Sequence, residues 1–146
     1  WIELTDDIPH YLHSQDIGPD ALALDGEDLA ARLSAKRGQL KSVLTDQAVV
    51  AGLGNVWADE VLFQAGLRPD RRSDRLSQAE VEALHRKMQR VLESAAQAGA
   101  DVSALPDGWL TPQRGQSDAR CPTCGGALES AKLGGRTAWL CPHCQV

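Results

Sequence analysis

Cys121-Pro122-Thr123-Cys124 and Cys141-Pro142-His143-Cys144 contain all four cysteines of the chain, in two pairs with sixteen residues between their inner members. A Cys-x-x-Cys turn aims two sulfurs at one point, and four thiolates at about 2.3 Å complete a tetrahedral zinc shell. A hairpin this short cannot bury a core of its own, so a single structural Zn2+ is expected to hold it. Disulfides fit poorly, because small disulfide scaffolds spread their cysteines along the chain and here the first 120 residues contain none. A redox role would call for one such motif near a βαβ unit, whereas two flank a hairpin. Iron could occupy the same sulfurs, so the spacing names the ligands Cys121, Cys124, Cys141 and Cys144 more sharply than the metal. His143 lies inside the second pair, where four available thiolates leave it as an exposed or supporting residue.

A second chemical feature is Gly52-Leu53-Gly54-Asn55, which separates two apolar helical stretches. Glycines and an asparagine ahead of a helix can present backbone N–H groups, a side-chain amide and the positive helix end to an anion, and phosphate is the natural ligand. The same residues would also serve an ordinary tight turn between helices.

The elements that must position these residues are mostly helical. Asp25 can cap a helix running to about Lys36, with Glu27 and Asp28 in its first turn and Leu29 and Leu33 on one face; Gly38 is a plausible stop. A second stretch from Gln39 to about Thr45 puts Leu40, Val43 and Leu44 inward and Lys41 outward. Asp46 could open another short helix through Val50. Val56 to Ala65 follows with Asn55 at its N-cap and Gly66 at its end. Ser77-Gln78-Ala79-Glu80 fits a capping box, and its helix should run to about Ala98 on a stripe of Val81, Leu84, Met88, Val91, Leu92 and Ala95, closed by Gly99. His85, among charged neighbours, reads as a surface side chain. The predicted organisation is mainly α: residues 1–24 a linker or the tail of a missing domain, 25–110 a helical unit, and 111–146 a zinc-bound β-hairpin.

At 146 residues and 42% hydrophobic content the chain suits one compact domain plus a metal-held appendage. No apolar run approaches the roughly 20 residues of a membrane span, and no signal peptide is evident, so no membrane association and an intracellular, reducing setting are expected. The first residue, Trp1, suggests a fragment or processed product. The net charge of −5 argues at first against a nucleic-acid partner. Its distribution weakens the objection: residues 1–28 hold eight acids and no Lys or Arg, leaving fifteen basic against twelve acidic residues beyond them. Arg68, Arg71, Arg72 and Arg75 cluster within eight residues and could add diffuse phosphate contacts, although a solvated charged surface is the bland reading.

Asp46 through Pro69, centred on Gly52-Leu53-Gly54-Asn55-Val56-Trp57-Ala58-Asp59-Glu60, resembles the helix-two-turn-helix motif of the formamidopyrimidine-DNA glycosylase and endonuclease VIII family. Gly134-Gly135-Arg136-Thr137-Ala138-Trp139-Leu140-Cys141-Pro142-His143-Cys144-Gln145 resembles that family's zinc hairpin, and Gly18-Pro19-Asp20-Ala21-Leu22 its connection between domains. The resemblance implies base-excision repair of oxidised bases, with glycosylase and AP lyase activity in the parent protein. It implies that Lys41, Gly54, Asn55 and Arg136 contact phosphates of double-stranded DNA holding a damaged base or abasic site, and that Trp57 is a packing residue. Such contacts position DNA without specifying sequence, and they can hold the kinked backbone while a base is flipped out. The family's chemistry uses an N-terminal proline amine and a neighbouring glutamate. Trp1-Ile2-Glu3 is not that terminus, so no catalytic residue is assigned and the chain alone is expected to bind zinc and DNA without excising a base. A monomer in a bacterial cytoplasm or nucleoid is expected. Where the family has an aromatic-Gly-Arg segment before its first cysteine, this chain has Thr111-Pro112-Gln113-Arg114-Gly115, so the hairpin's contact with the helical body is expected to differ. A noncatalytic zinc-ribbon protein binding nucleic acid or a protein partner is the alternative.

Overall fold

The computed structural model describes residues 20–99 and 104–146; the expectations for residues 1–17 and for Gly18-Pro19 lie outside the described residues. Among the described residues four α-helices are followed by a two-stranded hairpin: α1 (Gly26–Lys36), α2 (Leu40–Leu44), α3 (Asn55–Ala65), α4 (Gln78–Gln97), β1 (Glu129–Leu133) and β2 (Arg136–Leu140). Short 3-10 turns at Ser73–Arg75 and Thr111–Gln113 join them.

Local chemistry sets most helix ends. Asp25 accepts from the Asp28 amide at 2.8 Å and caps α1. The helix closes on Arg37, which takes a left-handed φ of 40°, rather than on Gly38. Ser77 and Glu80 form the reciprocal capping box of α4, which ends at Gln97 with Ala98 as its C-cap. Asp46 to Val50 is a turn, not a helix: the Asp46 carboxylate accepts from Ala48 and its carbonyl from Val49 and Val50. Gly54, not Asn55, is the N-cap of α3, and Gly66 closes that helix in the left-handed conformation at φ 73°.

α4 lays Val81, Leu84, Met88 and Val91 against α1 and α3, and the resulting core includes Leu29, Leu33, Leu40, Leu44, Leu53, Val61 and Leu62. Trp57 packs edge-on against Trp109 with centroids 6.4 Å apart. His85 is no free surface group. It meets the Leu24 carbonyl at 2.6 Å and fastens the entering chain to α4. Further upstream the Ala21 amide donates to the Ala51 carbonyl at 2.9 Å, tying the same segment to the turn ahead of α3.

The basic cluster is mostly paired. Arg68 meets Asp70, Arg72 meets Asp74, and Arg71 forms a two-pronged pair with Glu80, so three of the four expected diffuse contacts are engaged locally. The Arg71 guanidinium, followed by the Ser77 amide, holds the Glu80 carboxyl down at about 2 from an ordinary 4.5. A depressed carboxylate contributes stability above its unfolded pKa and loses it as pH falls through the folded one. The stability difference between the native chain and Glu80→Gln, measured by thermal unfolding, should therefore be full above pH 4.5 and shrink toward pH 2. A difference constant across that window would contradict this account.

Candidate metal centre and nucleic-acid interface

The hairpin begins and ends on the cysteine turns. β1 pairs antiparallel with β2 from Glu129↔Leu140 to Leu133↔Arg136, and the two-residue loop Gly134-Gly135 has positive φ at both positions (59° and 80°), as a type I′ turn requires. At its base all four cysteines are free thiols with their sulfurs within 4.8 Å of one another. Tetrahedral geometry with bonds of about 2.3 Å demands sulfurs roughly 3.8 Å apart. Cys121 to Cys144 is 3.7 Å and Cys124 to Cys141 is 3.6 Å, so the shell already has the dimensions of zinc. Amides of Thr123 and Cys124 point at Cys121 Sγ, that of Gly126 at Cys124 Sγ, and that of Cys144 at Cys141 Sγ. His143 is exposed and outside this group.

The finger is seated on the far end of α3. Buried Gln145 accepts from the Cys141 amide at 2.8 Å and donates to the Leu67 carbonyl at 2.8 Å. Val146 exchanges backbone hydrogen bonds with Gly66 and Arg68, both 3.0 Å. Phe63 of α3 and Leu110 complete a small cluster with Cys121 and Cys141, against which Leu128 and Trp139 pack.

The near end of α3 is open. Gly54 carries no side chain to cap it, no acid stands in its first turn, and a Cβ on Gly54 would meet nothing within 4 Å. α1 and α4, by contrast, have both a side-chain cap and first-turn acids. Among the described residues the first amides of α3 thus have no side-chain partner, and no acid in its first turn opposes the helix dipole. Gly52 supplies the required left-handed residue at φ 86°, and its amide donates to Gln47 Oε1 at 3.0 Å, bracing the turn. Asn55 is half-buried, and its Oδ1 is buried with no hydrogen-bond partner among the described residues. Arg136 is exposed at the hairpin tip. The tip rests on α2, where a methyl group on Gly134 would lie 2.8 Å from the Ser42 hydroxyl. Between α2 and the tip a cleft of about 280 Å³ is lined by Lys41, Ser42, Thr45, Asp46 and Arg136 among others.

Lys41 departs from expectation. It is 1% exposed instead of outward-facing, its ammonium donating to the Thr137 carbonyl at 2.8 Å and lying 2.7 Å from Asp59 Oδ1. That second approach is an ion pair and not an aligned hydrogen bond. Asp59 Oδ2 also takes Arg114 (Nε 3.0 Å, Nη2 2.9 Å) and the Trp139 amide at 3.2 Å. Burial pushes the Asp59 carboxyl up and the Lys41 ammonium down, and their mutual attraction opposes both shifts. Next along α3, Glu60 is fully buried and accepts from the amides of Leu110 (3.1 Å) and Thr111 (2.7 Å), the Thr111 hydroxyl (2.6 Å) and Gln64 (2.9 Å). The sequence singled out neither carboxylate. The available signal was their place one turn after Asn55, inside an otherwise apolar helix.

Residues 17–107 match the family model described as the formamidopyrimidine-DNA glycosylase H2TH domain, and residues 120–146 match a zinc finger found in FPG and IleRS. With the sulfur geometry, the second match makes the cluster a structural zinc site. The formamidopyrimidine-DNA glycosylase of Nitratidesulfovibrio vulgaris is 40% identical, over 90% of this chain and 38% of its own length. That of Halorhodospira halophila is 38% identical, over 88% of this chain and 51% of its own. The chain therefore spans about half the length, or less, of these curated relatives. Among solved structures, MutM in complex with DNA containing carbocyclic 8-oxo-G superposes with a TM-score of 0.83 at 28% identity, covering 97% of this chain and 55% of that one. The Lactococcus lactis enzyme bound non-covalently to DNA with an AP site gives 0.81 at 28% identity, covering 96% and 54%.

Proposed function

The chain belongs to the formamidopyrimidine-DNA glycosylase family through its H2TH domain, and from that premise we propose that it is the DNA-gripping part of a base-excision-repair glycosylase and AP lyase acting on oxidised bases. The supporting observation is the uncapped start of α3 at Gly54 and Asn55, on a helix packed against the zinc-held strand that begins with exposed Arg136. Free amides, the helix dipole and a side-chain amide suit one phosphate, and a guanidinium on a fixed hairpin suits another. Such contacts can stabilise a backbone kinked around an extruded nucleotide. Lys41 then acts from within, by holding the carbonyl next to Arg136. The partner is double-stranded DNA with a damaged base or abasic site, the kind of ligand named for the solved relatives. We place the protein as a monomer on nucleoid DNA. The alternative of a noncatalytic zinc ribbon lacks support from the helical module. Among the described residues no helix is long and apolar enough to cross a membrane.

The test is titration of a duplex holding an abasic-site analogue at several salt concentrations. A charge-assisted hydrogen bond contributes about 1.5–3 kcal/mol, so Asn55→Ala and Arg136→Ala should each weaken binding roughly ten- to a hundredfold. Arg136→Ala should also reduce the slope of log affinity against log salt by about 0.9, because one phosphate charge is no longer neutralised. Asn55→Ala, removing a neutral group, should leave that slope alone. Unchanged affinity in both variants, with zinc and fold retained, would sink the reading.

A further inference from the structure

A two-stranded ribbon is marginally stable alone. Zinc fixes the base of this hairpin, while Arg136 lies at the opposite end, so some other group must set where the tip stands relative to α3. Asp59 occupies that place. It lies four residues after Asn55, hence on the same face of α3. From there one carboxylate reaches three separate segments: α2 through Lys41, the pre-finger segment through Arg114, and β2 through the Trp139 amide. Lys41 extends the link to the carbonyl of Thr137, the residue that follows Arg136. The Asp59 side chain is entirely buried, so these partners are its surroundings and water does not substitute for them.

We infer that Asp59 is a positioning residue, whose carboxylate sets the turn carrying Asn55 and the strand carrying Arg136 as one rigid phosphate clamp. The inference rests on the reading proposed above. Preorganisation is the physical gain, since two contacts held at a fixed separation bind a kinked backbone without an ordering cost at the moment of association. Asp59→Asn keeps the volume, but it cannot offer acceptors to Lys41, Arg114 and the Trp139 amide together, because one of its two polar atoms is now a donor. A residue that merely stabilised the fold would lower the melting temperature and leave the Arg136 contribution intact.

A double-mutant cycle on the zinc-loaded chain separates these cases. Affinity for the abasic-site duplex and its salt slope are measured for the native chain, Arg136→Ala, Asp59→Asn and the double variant, alongside zinc content and circular dichroism. Asp59→Asn is expected to keep zinc and helix, to bind at least about tenfold more weakly, and to lose roughly one unit of salt slope. In its background Arg136→Ala should cost about twofold or less, well below the single-contact loss. An equal Arg136→Ala loss in both backgrounds overturns the inference alone. No Arg136→Ala effect in the native background overturns the phosphate reading and the inference with it. Should Asp59→Asn fail to fold, Arg114→Gln removes a partner at a partly exposed position, and the same cycle applies. The expected result is again a reduced Arg136→Ala loss, and an equal loss again overturns the inference.

Discussion

Stripping zinc with a chelator, or replacing Cys141 with serine, is expected to unfold the finger, leave the helical body intact and abolish tight DNA binding. The hairpin has little core of its own beyond Ala138 and Leu140 of β2. Of β1 only Leu133 is even partly buried, and the cluster beneath the finger consists of Phe63, Leu110 and the cysteines themselves, with Leu128 and Trp139 packed against it. The thiols alone resist assembling as four anions. Burial works against the Cys121 thiolate, but the Cys124 and Thr123 amides outweigh it and pull the thiol down to about 7; burial, then the neighbouring sulfurs, push Cys144 up to about 12. Only a dication reconciles the four, and structural zinc contributes about 10–16 kcal/mol in small fingers. Without it Gln145 loses its grip on the Leu67 carbonyl and Arg136 loses its frame. The core of α1, α3 and α4 draws on none of the cysteines, so helical circular dichroism should persist while amide protection over residues 120–146 disappears. Affinity for the abasic-site duplex should fall by at least the roughly ten- to hundredfold expected of losing the Arg136 contact. Metal-free protein that still binds with native affinity would refute this.

Glu60→Ala should destabilise the chain by about 3 kcal/mol or more, because several buried donors lose their acceptor together and each unpaired group costs roughly 1–3 kcal/mol. The Glu60 carboxylate is the acceptor for two consecutive backbone amides, Leu110 and Thr111, and for the Thr111 hydroxyl. With alanine those donors lose their acceptor at a site that is 0% exposed in the native chain. Since a domain has only about 5–15 kcal/mol in hand, a large share of its stability disappears. Glu60→Gln should be milder, because one oxygen still accepts while its NH₂ faces a donor. Urea unfolding of the three proteins, compared at equal zinc content, measures the effect. A loss under about 1 kcal/mol for Glu60→Ala, within the range of an ordinary hydrogen bond, would show that the segment before the finger is held by something else.

Those two carboxylates also show where reading the chain runs out. Asp59 and Glu60 follow Asn55 in a helical run, and helical periodicity says which side a residue faces without saying what stands opposite. Their partners lie 50 to 80 positions further along, at Leu110, Thr111, Arg114 and Trp139. Lys41 was placed outward for the same reason: a lysine on a short amphipathic helix belongs in water unless a buried acid meets it, and Asp59 is that acid. His85 and the Arg71 to Glu80 pair repeat the pattern on a smaller scale. Asp46, read as a helix start, caps a turn instead, since its side chain can satisfy the Ala48 amide in either conformation and nothing local decides between them.

What the sequence by itself determined is local chemistry that closes within a few residues. The Asp25 cap, the Ser77 to Glu80 box, the Gly66 stop, the Gly134-Gly135 turn and the two cysteine turns each satisfy their own hydrogen-bond or ligand geometry, so residue type and spacing suffice. Only the tertiary structure decided how the start of α3 and the hairpin tip are joined, because that joint is a buried electrostatic one. A charged side chain leaves water only when its counter-charge and donors converge from distant segments, and that convergence exists only in the folded chain.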